Sequence, residues 1–97
     1  EQLPDAIRWF GTRKKIFNVH FRNIRGHRGD FVAEMFPDEG DIDFVKMLKV
    51  YREIQYPYLL MPDHAPRVPG QPNAWRENFP FEFGYIRGLI QSEQHLV

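Results

Sequence analysis

The spacing of apolar and polar positions changes period several times along this chain, and each change marks an element. Leu3, Ile7 and Phe10 recur at i, i+4 and i+7, which predicts a short helix over Leu3–Phe10 with Pro4 in its first turn, where a missing N–H costs nothing. Gly11 is placed to stop that helix in a left-handed conformation. Ile16–Arg22 alternates with period two and predicts a strand, with Phe17, Val19 and Phe21 on an apolar face and Ile16, Asn18, His20 and Arg22 on the other. That second face turns polar toward the C-terminal end. Ile24–Asp30, punctuated by Gly26 and Gly29, reads as a loop, and Phe31–Phe36 as a second strand. Only about eight residues separate the two strands, fewer than the dozen or more of a parallel crossover, so the second is antiparallel to the first or an excursion above the sheet.

Pro37–Gly40 reads as a turn, and Asp41 as the N-cap of a helix from Ile42 to about Ile54. Phe44, Met47, Leu48 and Tyr51 form its apolar stripe. Tyr58–Met61 is a short apolar strand between Pro57 and Pro62, followed at once by Asp63-His64. A long irregular loop then runs to Pro80, and Phe81–Ser92 closes the chain as a helix, with Gly84 and Gly88 spaced to let a neighbour approach. Trp9, Phe10, Phe81 and Phe83 are expected in the core, and Trp75 as a loop residue able to cover a site. The order of elements predicts an alternating α/β architecture, in which ligands sit beyond the carboxyl ends of the strands. His20, Arg22, Asp63 and His64 all fall there.

Composition narrows the function. The 97 residues hold 13 Lys+Arg against 13 Asp+Glu, so there is no electrostatic footprint for nucleic acid or an anionic membrane. At 42% hydrophobic and 15% aromatic the chain is no disordered tail. No apolar run suggests a membrane span, and zero Cys excludes a disulfide scaffold or a cysteine-based metal site in this segment. Glu1–Arg8 lacks the pattern of a signal peptide, which points to the cytoplasm, and the start at Glu1 without Met points to a piece of a longer protein.

His20 and Asp63, near the ends of two neighbouring strands, offer a nitrogen and an oxygen that can share a divalent transition metal. Two donors do not make a site, and from the pattern alone a hydrogen-bonded interior histidine with a turn-capping aspartate is the better reading. His64 is placed to act as a general acid or base near neutral pH, or is an exposed loop histidine. Arg22 can clamp a carboxylate in bidentate fashion, or pair with an acid of the segment Glu34–Asp43. Asp38-Glu39-Gly40-Asp41 lacks the spaced ligands of a calcium loop and reads as a turn. The basic cluster Arg25-Gly26-His27-Arg28-Gly29 is a solvated loop or an anion contact.

Four stretches in series carry more than any of them alone: Val19-His20-Phe21-Arg22-Asn23, Phe36-Pro37-Asp38-Glu39-Gly40-Asp41, Met61-Pro62-Asp63-His64 and Phe83-Gly84-Tyr85-Ile86-Arg87-Gly88-Leu89. In this order and spacing they resemble the C-terminal part of the D-mannonate dehydratase family, the metal-dependent sugar-acid dehydratases of the xylose-isomerase-like barrels. The resemblance implies that residues 1–97 are the last part of a single (β/α)8 TIM barrel domain, incomplete alone, since a whole barrel takes about 250 residues. It implies dehydration of D-mannonate to 2-dehydro-3-deoxy-D-gluconate in hexuronate breakdown, with Mn(II) or Fe(II) as cofactor. Metal ligands then fall on His20 and Asp63 and proton transfer on His64; from its place beside them, and not from the family motif, we expect Arg22 near the substrate carboxylate. A Cys and a further His ligand would come from earlier strands. The chain departs from the family pattern at Met61, where a basic residue is common, and at Ala74-Trp75-Arg76, near where a Gly-Tyr pair would contribute an active-site tyrosine. The partner expected is a small sugar acid, with neither nucleic acid nor membrane; homo-oligomerisation stays open. The alternatives are a related sugar-acid isomerase or epimerase barrel, and a non-catalytic α/β interaction domain.

Overall fold

The computed structural model describes residues 2–95, without the side chains of residues 33, 34, 74, 75, 94 and 95. The chain runs α1 (Leu3–Thr12), β1 (Val19–His20), β2 (Asn23–His27), β3 (Asp30–Met35), α2 (Phe44–Glu53), β4 (Leu60–Met61) and α3 (Ala74–His95). This is a small α/β arrangement, as the alternation of elements predicts.

β1 and β4 pair in parallel, Val19 with Leu60 and His20 with Met61. The Phe21 N–H carries the ladder one step further by donating to Met61 O at 2.7 Å. The two strands are shorter than the apolar runs that announced them. Pro62 has no N–H to offer the ladder, so it stops pairing just past Met61. The segment between them is the excursion rather than a third strand of the same sheet: β2 and β3 form a separate antiparallel hairpin. The predicted loop over Ile24–Asp30 is therefore mostly strand. Its two-residue turn, Arg28-Gly29, uses Gly29 at φ +87, and an irregularity in register sits between Asn23 and Arg25.

The helices differ from expectation at their ends. Gly11 lies inside α1, buried against α2, where an added Cβ would come within 2.1 Å of Ile54 Cδ1. It is the place where two helices touch. The stop falls at Lys14, left-handed at φ +56, with Lys14 N donating to Gly11 O and Lys15 N to Phe10 O, each at 3.0 Å. In α2 the cap is Asp43, not Asp41: Asp43 Oδ1 accepts from Lys46 N at 3.0 Å. Asp41 instead accepts from Gly26 N at 2.7 Å through Oδ2, bracing the hairpin. α3 begins at Ala74 and runs through Pro80, so the predicted long loop is shorter than its proline suggested. Asn73 starts the helix by accepting from Arg76 N through Oδ1 at 3.1 Å.

The core is formed by Ile7 of α1, Val19 and Phe21 of the first strand and its continuation, Phe44, Met47 and Val50 of α2, and Ile86 of α3. Of the stripe predicted for α2, Phe44, Met47 and Leu48 are buried and Tyr51 is half-buried, while Val50, outside that stripe, is buried too. The four aromatics expected inside, Trp9, Phe10, Phe81 and Phe83, are instead about half exposed. α1 turns Pro4, Ile7 and Gly11 inward, which rotates Trp9 and Phe10 outward, and the Arg13 guanidinium covers the Trp9 ring at 3.9 Å. α3 turns Asn78, Glu82 and Ile86 inward at four-residue spacing, leaving Phe81 and Phe83 outside. Nothing approaches Gly84 or Gly88 among the described residues. The Trp75 side chain lies outside what is described. No helix among the described residues is long and apolar enough to cross a membrane.

Candidate active site

The parallel register of β1 and β4 decides what meets. His20 closes β1 beside Met61, and Asp63 follows two residues after it, so imidazole and carboxylate come to the same end of the two-stranded sheet. His20 Nδ1 lies 3.2 Å from Asp63 Oδ1. The other oxygen, Oδ2, is 3.4 Å from Arg22 Nη1 and 3.2 Å from His64 Nε2. Three of the four residues singled out from the sequence thus converge on the carboxylate of the fourth, Asp63. The acid that Arg22 pairs with is Asp63 itself. The Asp63 side chain is 22% exposed, open enough to receive a small ligand and shielded enough for its ion pairs to matter.

Local packing explains the convergence. Phe21 is buried and stacks on Phe44 with ring centroids 3.9 Å apart and planes 12° from parallel. Alternation then turns its neighbours His20 and Arg22 the other way, toward Asp63. On the second strand, buried Pro62 and Ala65 flank Asp63-His64 and fix the path of the loop. Further along, Asn78 Nδ2 of α3 donates to Pro66 O at 2.7 Å and to Gln71 Oε1 at 2.8 Å, tying the same loop to the closing helix.

The donor set, imidazole nitrogen beside carboxylate oxygen, suits a first-row divalent cation. Two donors on adjacent positions around such an ion stand about 3 Å apart, for ligand distances of about 2.1 Å, and His20 Nδ1 and Asp63 Oδ1 are separated by 3.2 Å. The pair therefore fits a shared cation. It is a partial site: among the described residues no group of three or more His, Cys, Asp or Glu is arranged to hold a metal ion.

One titratable group escaped the sequence reading. Glu82 is 3% exposed, its Oε2 has no hydrogen-bond partner among the described residues, and burial pushes its carboxyl up to about 7. The available signal was its place on the stripe Asn78, Glu82, Ile86, which an acid inside an apolar run disguises.

Two parallel strands whose carboxyl ends gather an imidazole, a carboxylate, a second imidazole and a guanidinium define an α/β protein with a cluster of polar side chains at the edge where such folds place ligands. The chain belongs to the D-mannonate dehydratase (UxuA) family, whose sequence profile matches residues 1–96. It is 35% identical over 71 residues to mannonate dehydratase 2 of Halalkalibacterium halodurans, covering 71% of this chain and 21% of that protein. It is 38% identical over 69 residues to mannonate dehydratase 1 of the same organism, covering 69% and 19%. To the mannonate dehydratase of Endomicrobium trichonymphae it is 36% identical over 68 residues, covering 68% and 18%. The chain thus spans about a fifth of the length of these curated relatives. No solved structure matches it.

Proposed function

We propose that residues 1–97 form the C-terminal part of a metal-dependent mannonate dehydratase that removes water from D-mannonate to give 2-dehydro-3-deoxy-D-gluconate. What carries the reading is Asp63, flanked by His20 and His64 past the ends of two parallel strands, in a chain of the mannonate dehydratase family. β1, α2 and β4 form a strand, helix, parallel strand unit, the repeating element of a (β/α)8 barrel. The remaining units come from elsewhere in the full-length protein. The cytoplasm is its setting on the same reading.

His20 and Asp63 would hold Mn(II) or Fe(II), together with ligands from other strands. Once bound, the cation would supply positive charge against the negative charge that builds on the carboxylate end of the substrate as a base contributed by the rest of the full-length site takes the proton beside it. His64 is within 3.2 Å of Asp63 Oδ2, which keeps its imidazole at the metal side of the site. There it delivers a proton to the departing hydroxyl, so that water rather than hydroxide leaves. Arg22 reaches the site with one guanidinium nitrogen on Asp63. Its remaining N–H groups orient the substrate carboxylate.

The test is a dehydration assay of the full-length protein with D-mannonate and Mn(II) or Fe(II), following the 2-keto-3-deoxy product. Formation of that product is expected. Failure with both metals ends the reading, and conversion of a sugar acid without loss of water would move the protein to an isomerase or epimerase.

A further inference from the structure

The residue that follows Arg22 has no evident chemistry of its own, yet it is wholly buried: Asn23 is 1% exposed. Its amide uses every hydrogen-bonding position it has. Nδ2 donates to Pro37 O at 2.7 Å and to Ile42 O at 2.9 Å. Oδ1 accepts from its neighbour Ile24 N at 2.9 Å and from Ile42 N at 3.0 Å. Two donors and two acceptors are thereby spent inside the protein. Pro37 and Ile42 bracket the segment between the β2–β3 hairpin and α2, so one side chain joins the end of the first strand to the run-in of the helix. Gly40 closes over the junction, where an added Cβ would fall 2.0 Å from Asn23 Oδ1. Asp41 N donates to Ile24 O at 2.7 Å and completes the seam.

Arg22 is therefore held from both sides. Before it, Phe21 is fixed by its stack on Phe44 and its N–H bond to Met61 O. After it, Asn23 is fixed by four hydrogen bonds. The backbone on both sides of Arg22 is thus anchored, and its guanidinium meets Asp63 at 3.4 Å.

We propose that Asn23 is a positioning residue, whose amide junction with Pro37 and Ile42 aims Arg22 at Asp63. The geometric half of this stands alone; its kinetic consequence rests on the dehydratase reading.

Two variants disturb the junction from opposite sides. Asn23→Asp keeps both acceptors and sets a carboxylate against the Pro37 and Ile42 carbonyls. Gly40→Ala leaves Asn23 in place and drives a methyl group into its oxygen. In the full-length protein with Mn(II) and D-mannonate, each is expected to lower kcat/KM by roughly tenfold to a hundredfold, as displacement of an orienting group does. Added to Arg22→Ala, Asn23→Asp is expected to cost no more than roughly twofold further, because residues acting through one group are not additive. Losses that multiply in full would overturn the proposal. So would crystal structures of the full-length variants in which Arg22 keeps its pair with Asp63, whether or not the protein turns over D-mannonate. Displacement of Arg22 in both variants, in a wild-type protein inactive on D-mannonate, would remove the dehydratase reading and leave the positioning role standing.

Discussion

Asp63 serves different neighbours with its two oxygens, so removing it and removing His64 have different expected consequences. In the full-length protein, Asp63→Ala should lose bound Mn(II) on equilibrium dialysis; a full complement of metal would take Asp63 out of the site. His64→Ala should abolish turnover while retaining metal, and loss of Mn(II) there would make His64 a ligand instead. Glu82 makes a prediction of another kind. Its carboxyl is raised by burial to about 7 from 4.5, so the folded protein keeps a proton that the unfolded chain releases across that window. Stability contributed by this group is complete below about 4.5, falls as pH rises toward about 7, and is flat beyond. At about 1.4 kcal/mol per pH unit, the whole loss is about 3 kcal/mol. Glu82→Gln should remove that slope in urea unfolding of the full-length protein measured below and above the window, and should be the more stable form on the alkaline side. Equal slopes for wild type and variant would show that Glu82 does not keep its proton. That His20, Arg22, Asp63 and His64 would meet at one end of the sheet was legible in the sequence, because strand alternation fixes which side chains share a face and parallel pairing fixes which strand ends align. Glu82 was not, because a carboxylate is ordinarily read as solvated, and only the packing of α3 shows it buried.

At the scale of elements, what could be read depended on whether one signal dominated. The stripe of α2 is periodic, and three of its four residues, Phe44, Met47 and Leu48, are buried. The cap was harder, since Asp41 and Asp43 both precede the helix and either side chain can accept from a free N–H. The structure gives them separate tasks, Asp43 to the helix and Asp41 to the hairpin. Asp43→Ala should therefore cost about 1 kcal/mol and Asp41→Ala should loosen the hairpin. Hydrogen exchange separates the two: faster exchange in the first turn of α2 for Asp43→Ala, and at Gly26 for Asp41→Ala. The reverse pattern would restore Asp41 as the cap. The hairpin itself was hidden because polar residues and a glycine, Asn23, Arg25, Gly26 and His27, make up most of β2, and a run of such residues looks like a loop until its partner strand is in place. Pro80 hid the start of α3 in the same way. A proline usually ends a helix pattern, but Asn73 supplies an N-cap well before it.

The whole molecule leaves much apolar surface uncovered. Leu59 is 80% exposed and Phe17 67%, with Tyr58 beside them at 55%. These residues line an open depression of about 340 Å³ together with Asn18 and Pro57. A parallel sheet is ordinarily covered on both faces, and a two-stranded sheet lacks the pairing needed for independent stability. β1 and β4 each still have an edge with unpaired backbone groups among the described residues. In the proposed barrel, neighbouring strands and helices cover exactly these kinds of surface, and the long-range cost of closing the sheet is shared among all its units. The 97-residue segment expressed by itself should therefore self-associate. Sedimentation velocity at increasing concentration should show growing species, and thermal unfolding should be broad. Substituting Leu59→Lys, which places charge on the most exposed apolar position, should reduce that association without touching Asp63 or its partners. A monomer with a sharp cooperative melt would mean that two short parallel strands and three helices suffice, and would count against the view that this segment depends on the rest of a barrel for its sheet.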